Sequence, residues 1–227
     1  MINADLAKEL ALPVVGKGTM GDPSNPNAIE VDRVAIESID IGAVALEGVV
    51  ADSWEQPEST IGHLGGRGIF GTSMLSAFLV TLDYPGSKIV IENGSLSADD
   101  DNVIAWRAGD DGLPTLKLDV AGVTFDAHVD SGAPGTLTLP ANARKKLYYV
   151  DEPVVVGHGR TVNSEFEVWR GTLDGKVMVG AIVDDDPVLD FVSLLDSTGL
   201  ANIGSAFLRR FVVTLDHKNG LIRFEKQ

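Results

Sequence analysis

The sequence contains no cysteine among its 227 residues. Disulfide bonds and thiolate metal sites are therefore excluded. Basic residues are also scarce, because 18 Lys and Arg stand against 33 Asp and Glu, which gives a net charge of -15. A field of this sign repels phosphate, so we expect neither nucleic acid nor an anionic membrane surface among the partners of this protein.

Long apolar runs are missing as well, and no stretch approaches the roughly 18 residues that a membrane span needs, so we expect no membrane insertion. Residues 1–10 predict an amphipathic helix without the layout of a signal peptide. We expect a signal peptide, if the natural protein has one, to lie upstream of Met1. The compartment is then periplasmic or secreted, and otherwise it is cytoplasmic.

The chain does contain an internal repeat. Residues 71–83 (GTSMLSAFLVTLD) resemble residues 204–216 (GSAFLRRFVVTLD) at an offset of 133. In each copy a glycine precedes a short helix, a strand, a turn and a second strand. Further upstream, residues 49–52 align with 183–186 at an offset of 134, and residues 2–10 align with 139–147 at an offset of 137. Insertions in loops account for the drift in offset.

Short alternating segments separated by Gly and Pro turns predict a mostly β fold with only brief helices. The repeat predicts two pseudo-symmetric lobes, with a ligand-binding cleft between them. We place the first lobe at residues 1–95, a polar, Asp-rich connection at 96–113, and the second lobe at 114–227.

One loop of the second copy has the character of a reactive site. Residues 116–130 predict a strand, a tight turn and a second strand that ends at Asp130, followed by Ser131, Gly132 and Ala133. An Asp at the end of an apolar strand lies near buried surface, where desolvation and close neighbours set its protonation state. The first copy begins at its helix, so its equivalent of Asp130 would lie about seven positions before Met1.

The Asp-Ser-Gly-Ala sequence at 130–133, placed after a β-hairpin, resembles the Asp-Thr/Ser-Gly loop of retropepsin-like aspartic proteases. Ile69-Phe70-Gly71 and Ile203-Gly204, each followed by a helix and a strand, are similar to the second signature of that family. The resemblance covers nearly the whole chain and is closest to bacterial two-lobe members, in which each lobe carries one Asp loop. It implies a pepsin/retropepsin-like β-barrel in each lobe.

The resemblance also implies a chemistry. Two neighbouring carboxylates share one proton, and the ionised one activates a water molecule that attacks a peptide bond. Asp130 is then a catalytic residue, and Ser131, Gly132 and Ala133 support its loop. The apolar-Gly signatures, namely Ile69, Phe70, Gly71, Ile203 and Gly204, have a packing role behind the two loops.

A loop at Gly157, His158 and Gly159 is a candidate for the flap that covers the substrate in this family. The expected substrate is a peptide or a protein. We expect no cofactor and no metal, since no pair of the four His residues has metal-ligand spacing. Residues 66–71 match G-x-G-x-x-G but lack a βαβ context, so we interpret them as a flexible glycine loop and not as a dinucleotide site.

The first lobe lacks an Asp loop, so we expect the chain alone to be inactive as a monomer. Three explanations remain open. An upstream segment of the natural protein supplies the second loop, two copies pair their Asp130 loops, or the chain is a non-catalytic peptide-binding or structural module. The incomplete first lobe also predicts exposed sheet edges and association through them.

Overall fold

The computed structural model describes residues 1–20, 28–55, 65–109, 112–161 and 164–226. The chain divides into two compact units, one formed by Met1–Gly71 with Arg160–Glu165 and the other by Thr72–Gly159 with Phe166–Gln227. Strands dominate the described residues and the helices are few and short, so the mostly β prediction is confirmed. Within these residues, no helix has the length and apolar character that crossing a bilayer requires.

The first unit is a four-stranded sheet with one helix. Its sheet has the order β1-β4-β3-β2. The elements are β1 (Ile2–Asn3), α1 (Ala4–Glu9), β2 (Val14–Met20), β3 (Ile29–Ile41) and β4 (Val44–Trp54). The predicted amphipathic helix is present as α1, which begins where the Asn3 side chain accepts hydrogen bonds from the backbone N–H groups of Asp5 and Leu6. Ala7, on the inner face of α1, packs against Ile2 and Val34 in a small buried core.

The remaining strands follow along the chain. They are β5 (Leu79–Asp83), β6 (Lys88–Glu92), β7 (Val103–Ala105), β8 (Arg107–Ala108), β9 (Pro114–Val120), β10 (Val123–Asp130), β11 (Leu137–Pro140), β12 (Tyr149–Arg160), β13 (Glu165–Leu173), β14 (Lys176–Val179), β15 (Ile182–Asp185), β16 (Val188–Val192), β17 (Ala201–Gly204), β18 (Val212–Asp216) and β19 (Leu221–Glu225). Short helical segments lie at Thr72–Leu75, Ala141–Lys146, Ser193–Leu195 and Ser205–Leu208, of which the last is α2.

These strands form two sheets. The larger one has the order β12-β13-β16-β11-β17-β10-β9-β14-β15, with β8 also paired to β9. The smaller one has the order β6-β5-β18-β19-β7. The rings of Phe207, Phe211 and Phe224 form one fully buried cluster, with centroids 5.3 to 6.3 Å apart. This cluster anchors α2, and with it the end of β17, to the face of the smaller sheet.

The smaller sheet contains strands from both copies of the repeat. β5 and β18 pair antiparallel, with Thr81 opposite Thr214 and with the flanking pairs Val80–Leu215 and Leu82–Val213. Thr81 pairs with its own counterpart, Val80 pairs with the counterpart of Leu82, and Leu82 pairs with the counterpart of Val80, so the register is symmetric about the Thr81–Thr214 pair. This register supports the internal repeat.

The turns after β5 and β18 are built in the same way. The Asp83 carboxylate accepts the N–H of Gly86 at 2.7 Å, and the Asp216 carboxylate accepts the N–H of Asn219 at 3.0 Å. Both turns lie where the Pro-Gly and Asn-Gly sequences predict them.

The two units differ from the predicted lobes, since residues 72–95 of the predicted first lobe belong to the second unit and Arg160–Glu165 of the predicted second lobe belongs to the first. The predicted first lobe ends at residue 95, whereas the first unit ends at Gly71. The physical reason is strand pairing, since β5 and β6 belong to the first copy but join the sheet that holds β18 and β19. β7, which lies in the predicted connection, pairs with β19 in the same sheet.

Candidate active site

Asp130 is the last residue of β10 and begins a tight loop. Its Oδ1 accepts the backbone N–H of Gly132 at 2.8 Å, and its carbonyl oxygen accepts the N–H of Ala133 at 3.2 Å. The side chain is half-buried. The loop itself therefore orients one carboxylate oxygen of Asp130.

β17 lies directly behind this loop. It is inserted between β10 and β11, parallel to the first and antiparallel to the second. Ile203 is fully buried and lies opposite Val129 on one side and Leu137 on the other. The predicted apolar-Gly signature of the second copy therefore contacts the strands on both sides of the Asp130 loop.

Gly204 is required by close backbone contact. Its N–H donates to the Thr136 carbonyl at 2.8 Å, and the N–H of Ser205 donates to the Ala133 carbonyl at 2.7 Å. A Cβ atom at position 204 would lie 2.2 Å from the Gly135 carbonyl oxygen and 2.8 Å from that of Ala133. Only glycine lets the loop pass this close to β17, so residue 204 sets the distance between the loop and the sheet.

An ion pair under the same loop was missed by the sequence analysis. Arg170 on β13 donates to both carboxylate oxygens of Asp190 on β16, at 2.7 and 3.0 Å, and Asp190 is only 8% exposed. A Cβ atom at Gly135 would lie 3.4 Å from Asp190 Oδ2, which places this carboxylate directly beneath the loop. The hydrogen bond to Asp190 also raises the pKa of Arg170, so the guanidinium stays charged.

The first unit contains a counterpart of this ion pair. Arg33 on β3 donates to Asp52 on β4 at 3.0 Å. The surrounding pairing matches too, because Ile2 and Asn3 of β1 run parallel to β4 as Leu139 and Pro140 of β11 run parallel to β16. The repeated Arg and Asp on neighbouring strands were the signal in the sequence that would have found the pair.

This match corrects one part of the predicted repeat alignment. Residues 49–52 were aligned with 183–186, which lie in and just after β15. Because β4 pairs with β1 as β16 pairs with β11, the end of β4 is equivalent to β16, and Asp52 matches Asp190. The acidic run at 184–186 produced a false alignment because its composition is similar to that of residues 49–52. The alignment overlooked that β3 leads directly to β4, whereas β14 and β15 lie between β13 and β16.

Within the described ranges, the apolar-Gly signature of the first copy has a strand partner on one side only. Ile2 bridges to Gly68, and Ile69 exchanges two hydrogen bonds of 3.0 Å with Met1, so β1 occupies the place that β11 has beside β17. Among the described residues, no strand lies where β10 would be. Ile69 and Phe70 are 42% and 40% exposed, whereas Ile203 is fully buried. Residues 68–71 therefore present an apolar, exposed edge.

The candidate flap residues lie on β12, near the end that leads into the β12–β13 turn. A Cβ atom at Gly159 would lie 2.3 Å from the ring of Phe166, so that ring covers the backbone at this position. A Cβ atom at Gly157 would meet nothing within 4 Å, and His158 is exposed. Residues 162 and 163, between β12 and β13, lie outside the described residues, so the flap role stays a prediction.

A metal-binding group of three or more His, Cys, Asp or Glu side chains does not occur in the part of the chain that the structure describes. Asp130 supplies a carboxylate to this loop, with one oxygen held by the N–H of Gly132. It can act as an acid or a base toward a molecule bound above it, and it needs a second group to complete a reaction.

Comparison with known proteins gives a limited result. No protein-family model matches the chain. No curated protein matches it either. Among solved structures, a retropepsin-like aspartic protease from Rickettsia conorii is similar over 54% of this chain and 98% of that chain, with 21% sequence identity and a TM-score of 0.42. A similarity of this extent does not establish family membership.

Proposed function

We propose that this chain carries one half of the active site of an aspartic endopeptidase. In this proposal Asp130 is one of two catalytic carboxylates. The observation that carries the proposal is the contact between Gly204 and the Asp130 loop, in which the backbone of residues 133–136 is hydrogen-bonded to residues 204–206. This loop is held by the sheet from below, as a catalytic carboxylate requires, and is not a free surface turn.

The exposed edge of residues 68–71 supports the second half of the proposal. Its counterpart in the second copy binds the Asp-bearing strand β10 in parallel, with Asp130 opposite Gly204. We propose that a second strand ending in an Asp-Ser/Thr-Gly loop binds parallel to residues 68–71, with its Asp opposite Gly71. The exposed side chains of Ile69 and Phe70 would be buried by that strand, which provides the driving force for its binding.

The chemistry follows from two carboxylates held close together. Like charges at short distance cannot both ionise, so the pair keeps one proton and titrates as a unit on the acid side of neutrality. The ionised carboxylate takes a proton from a bound water, which attacks the peptide carbonyl, while the protonated carboxylate donates a hydrogen bond to the carbonyl oxygen. Asp130 alone supplies only one of these roles, so the chain by itself is expected to be inactive.

A protein in which residues 113–137 are duplicated directly before Met1 tests the proposal. The repeat makes Leu139 equivalent to Ile2, so this insertion places a second β9–β10 hairpin and Asp loop ahead of β1. We expect this protein to cleave peptides at pH ~4–5 and to be inhibited by a statine-type transition-state analogue. Asp130→Asn, or the same change in the added copy, should each abolish cleavage.

Two results would contradict the proposal. One is cleavage by the unextended chain that persists in Asp130→Asn. The other is an extended protein in which hydrogen exchange shows the amides of residues 68–71 newly protected, and which still neither binds the analogue nor cleaves. That second result would favour the alternative of a non-catalytic peptide-binding or structural module.

A further inference from the structure

In the part of the chain that the structure describes, the outer edge of β6 is a second place without a strand partner. β6 lies at the end of its sheet, and β5 is its one strand partner among the described residues. Ile89 is 69% exposed and Val90 is 40% exposed. An apolar strand with free backbone groups along one edge can accept another strand in pairing.

The other end of the same sheet indicates what the β6 edge accepts. β19 is the counterpart of β6, since Ile222 corresponds to Ile89. β19 is covered on its outer edge by β7, with Ile104 opposite Ile222. Ile222 is fully buried, in contrast to Ile89. The counterpart edge is therefore closed by an antiparallel strand with an isoleucine at the matching position.

The sequence of β6 is complementary to itself. It reads Lys88-Ile89-Val90-Ile91-Glu92. When two copies pair antiparallel about Val90, each Ile89 lies opposite the partner's Ile91, and each Lys88 lies opposite the partner's Glu92. Such a pair brings together two opposite charges at each end and two apolar pairs between them, which are the combinations that stabilise antiparallel neighbours.

We propose that β6 is a self-association edge, at which a second copy of this chain adds its own β6 and joins the two five-stranded sheets into one. The occupant is a second copy because the charges at both ends of β6 match under two-fold symmetry, and two-fold pairing is the commonest form of homodimer. The association is weak, since one five-residue strand pair buries less surface than stable dimers do. It involves none of the residues placed around Asp130, so it is independent of the proposed activity.

Charge reversal tests the pairing. Lys88→Glu places like charges at both ends of the β6 pair, and so does Glu92→Lys. We expect each single variant to weaken dimerisation by about tenfold, because both symmetric copies of the charge pair are affected. The double variant Lys88→Glu/Glu92→Lys restores both pairs and should restore dimerisation. Sedimentation equilibrium over a wide concentration range measures the dimer dissociation constant of each protein.

The double variant also serves as the control for folding. Lys88 lies opposite Asp83 on β5, so Lys88→Glu also introduces a repulsion within the chain. The double variant keeps that repulsion while restoring the intermolecular pairs. If the double variant dimerises again, the loss in the single variants is therefore due to the charge pairs between chains and not to a disturbed monomer fold.

A cysteine substitution reports on the register. The native chain has no cysteine, so Val90→Cys introduces the sole thiol. Residues directly opposite each other in antiparallel strands have Cα atoms about 4.5–5.5 Å apart, which is within disulfide range. Mild oxidation should cross-link Val90→Cys as a dimer, whereas Thr124→Cys, an exposed position on β10, should cross-link far less.

A chain that remains monomeric at high concentration would overturn the proposal. A dimer whose dissociation constant is unchanged by Lys88→Glu would overturn it as well, because the interface would then lie elsewhere. A double variant that does not regain the dimerisation lost in both single variants would also overturn the proposal.

Discussion

Thr81 and Thr214 face each other across β5 and β18, and their Oγ1 atoms are 3.0 Å apart. The two residues are 133 positions apart in the chain, which is also the offset of the repeat. A residue that pairs with its own counterpart lies on the local two-fold axis that relates the two strands. In the hydroxyl pair, each copy of the repeat therefore contributes the same side chain from the same position.

This hydroxyl pair should contribute to stability as a coupled unit. Thr214 is buried, so Thr81→Val leaves its hydroxyl without the Thr81 oxygen, and we expect a loss of about 1–2 kcal/mol in the free energy of unfolding. The double variant Thr81→Val/Thr214→Val removes both polar atoms and should lose less than the sum of the single variants. Urea unfolding measures all three, with Thr124→Val on the surface of β10 as the control. Additive losses would contradict a direct hydrogen bond.

The contact at Gly204 predicts a strong effect from a single methyl group. Gly204→Ala places a Cβ atom against two backbone carbonyl oxygens of the Asp130 loop, and neither can move without shifting the loop. We expect a loss of about 3 kcal/mol or more in the free energy of unfolding. Gly157→Ala is the matched control, because its Cβ meets nothing within 4 Å, and it should change stability by less than about 0.5 kcal/mol. Equal stability of the two variants would show that the loop does not press on β17.

The two Arg–Asp pairs should differ in importance. The side chain of Asp190 is 11% exposed and that of Asp52 is 28% exposed, whereas Arg170 and Arg33 are equally exposed. Asp190→Ala should cost about 3 kcal/mol, because a partly buried charge-assisted pair is broken beneath the loop. Asp52→Ala should cost about 1 kcal/mol or less, since solvent screens the more exposed pair. Chemical unfolding monitored by Trp fluorescence compares the two, and a larger loss for Asp52→Ala would reverse the assignment.

The local motifs could be predicted because they depend on neighbours in sequence. The turn after β10, the glycine before each short helix and the capped helix α1 all follow from a few consecutive residues. Gly204 could be identified as part of a signature, but the carbonyl groups that require it belong to residues 133 and 135, which are about seventy positions away. The sequence alone does not reveal that distance of approach.

The pairing of strands from the two copies could not be predicted. β5 reads equally well as part of a separate first lobe, because its apolar alternation specifies which face is buried and not which strand lies beside it. Its pairing with β18 depends on contacts across more than a hundred residues. The Arg170–Asp190 pair was missed for a different reason, because the alignment of residues 49–52 with 183–186 concealed the match of Asp52 with Asp190.

We expect His217 to make the stability of the fold depend on pH near neutrality. Its Nε2 lies 3.2 Å from the Thr72 hydroxyl, and the ring packs edge-on against Trp106 at 5.3 Å between centroids. Burial lowers the pKa of His217 below its ordinary value of 6.5, although the neighbouring Asp216 opposes this shift. The folded chain therefore binds this proton less readily than the unfolded chain does. The stabilisation that comes from keeping His217 neutral is complete above pH 6.5, and it is lost as the pH falls from there through the lowered pKa of His217.

His217→Gln should remove this part of the pH dependence. We expect the urea midpoint of the native protein to fall between pH ~7.5 and pH ~5.5 by more than that of the variant, because the glutamine does not titrate. Asp184 does not contribute in this range, since its hydrogen bonds with Arg210 lower its pKa below 3.8. His158→Gln is the control, because it removes a histidine from β12 and leaves His217 in place. If both variants lose stability with falling pH as steeply as the native protein, His217 is not the group responsible, and the acid sensitivity belongs to another site in the fold.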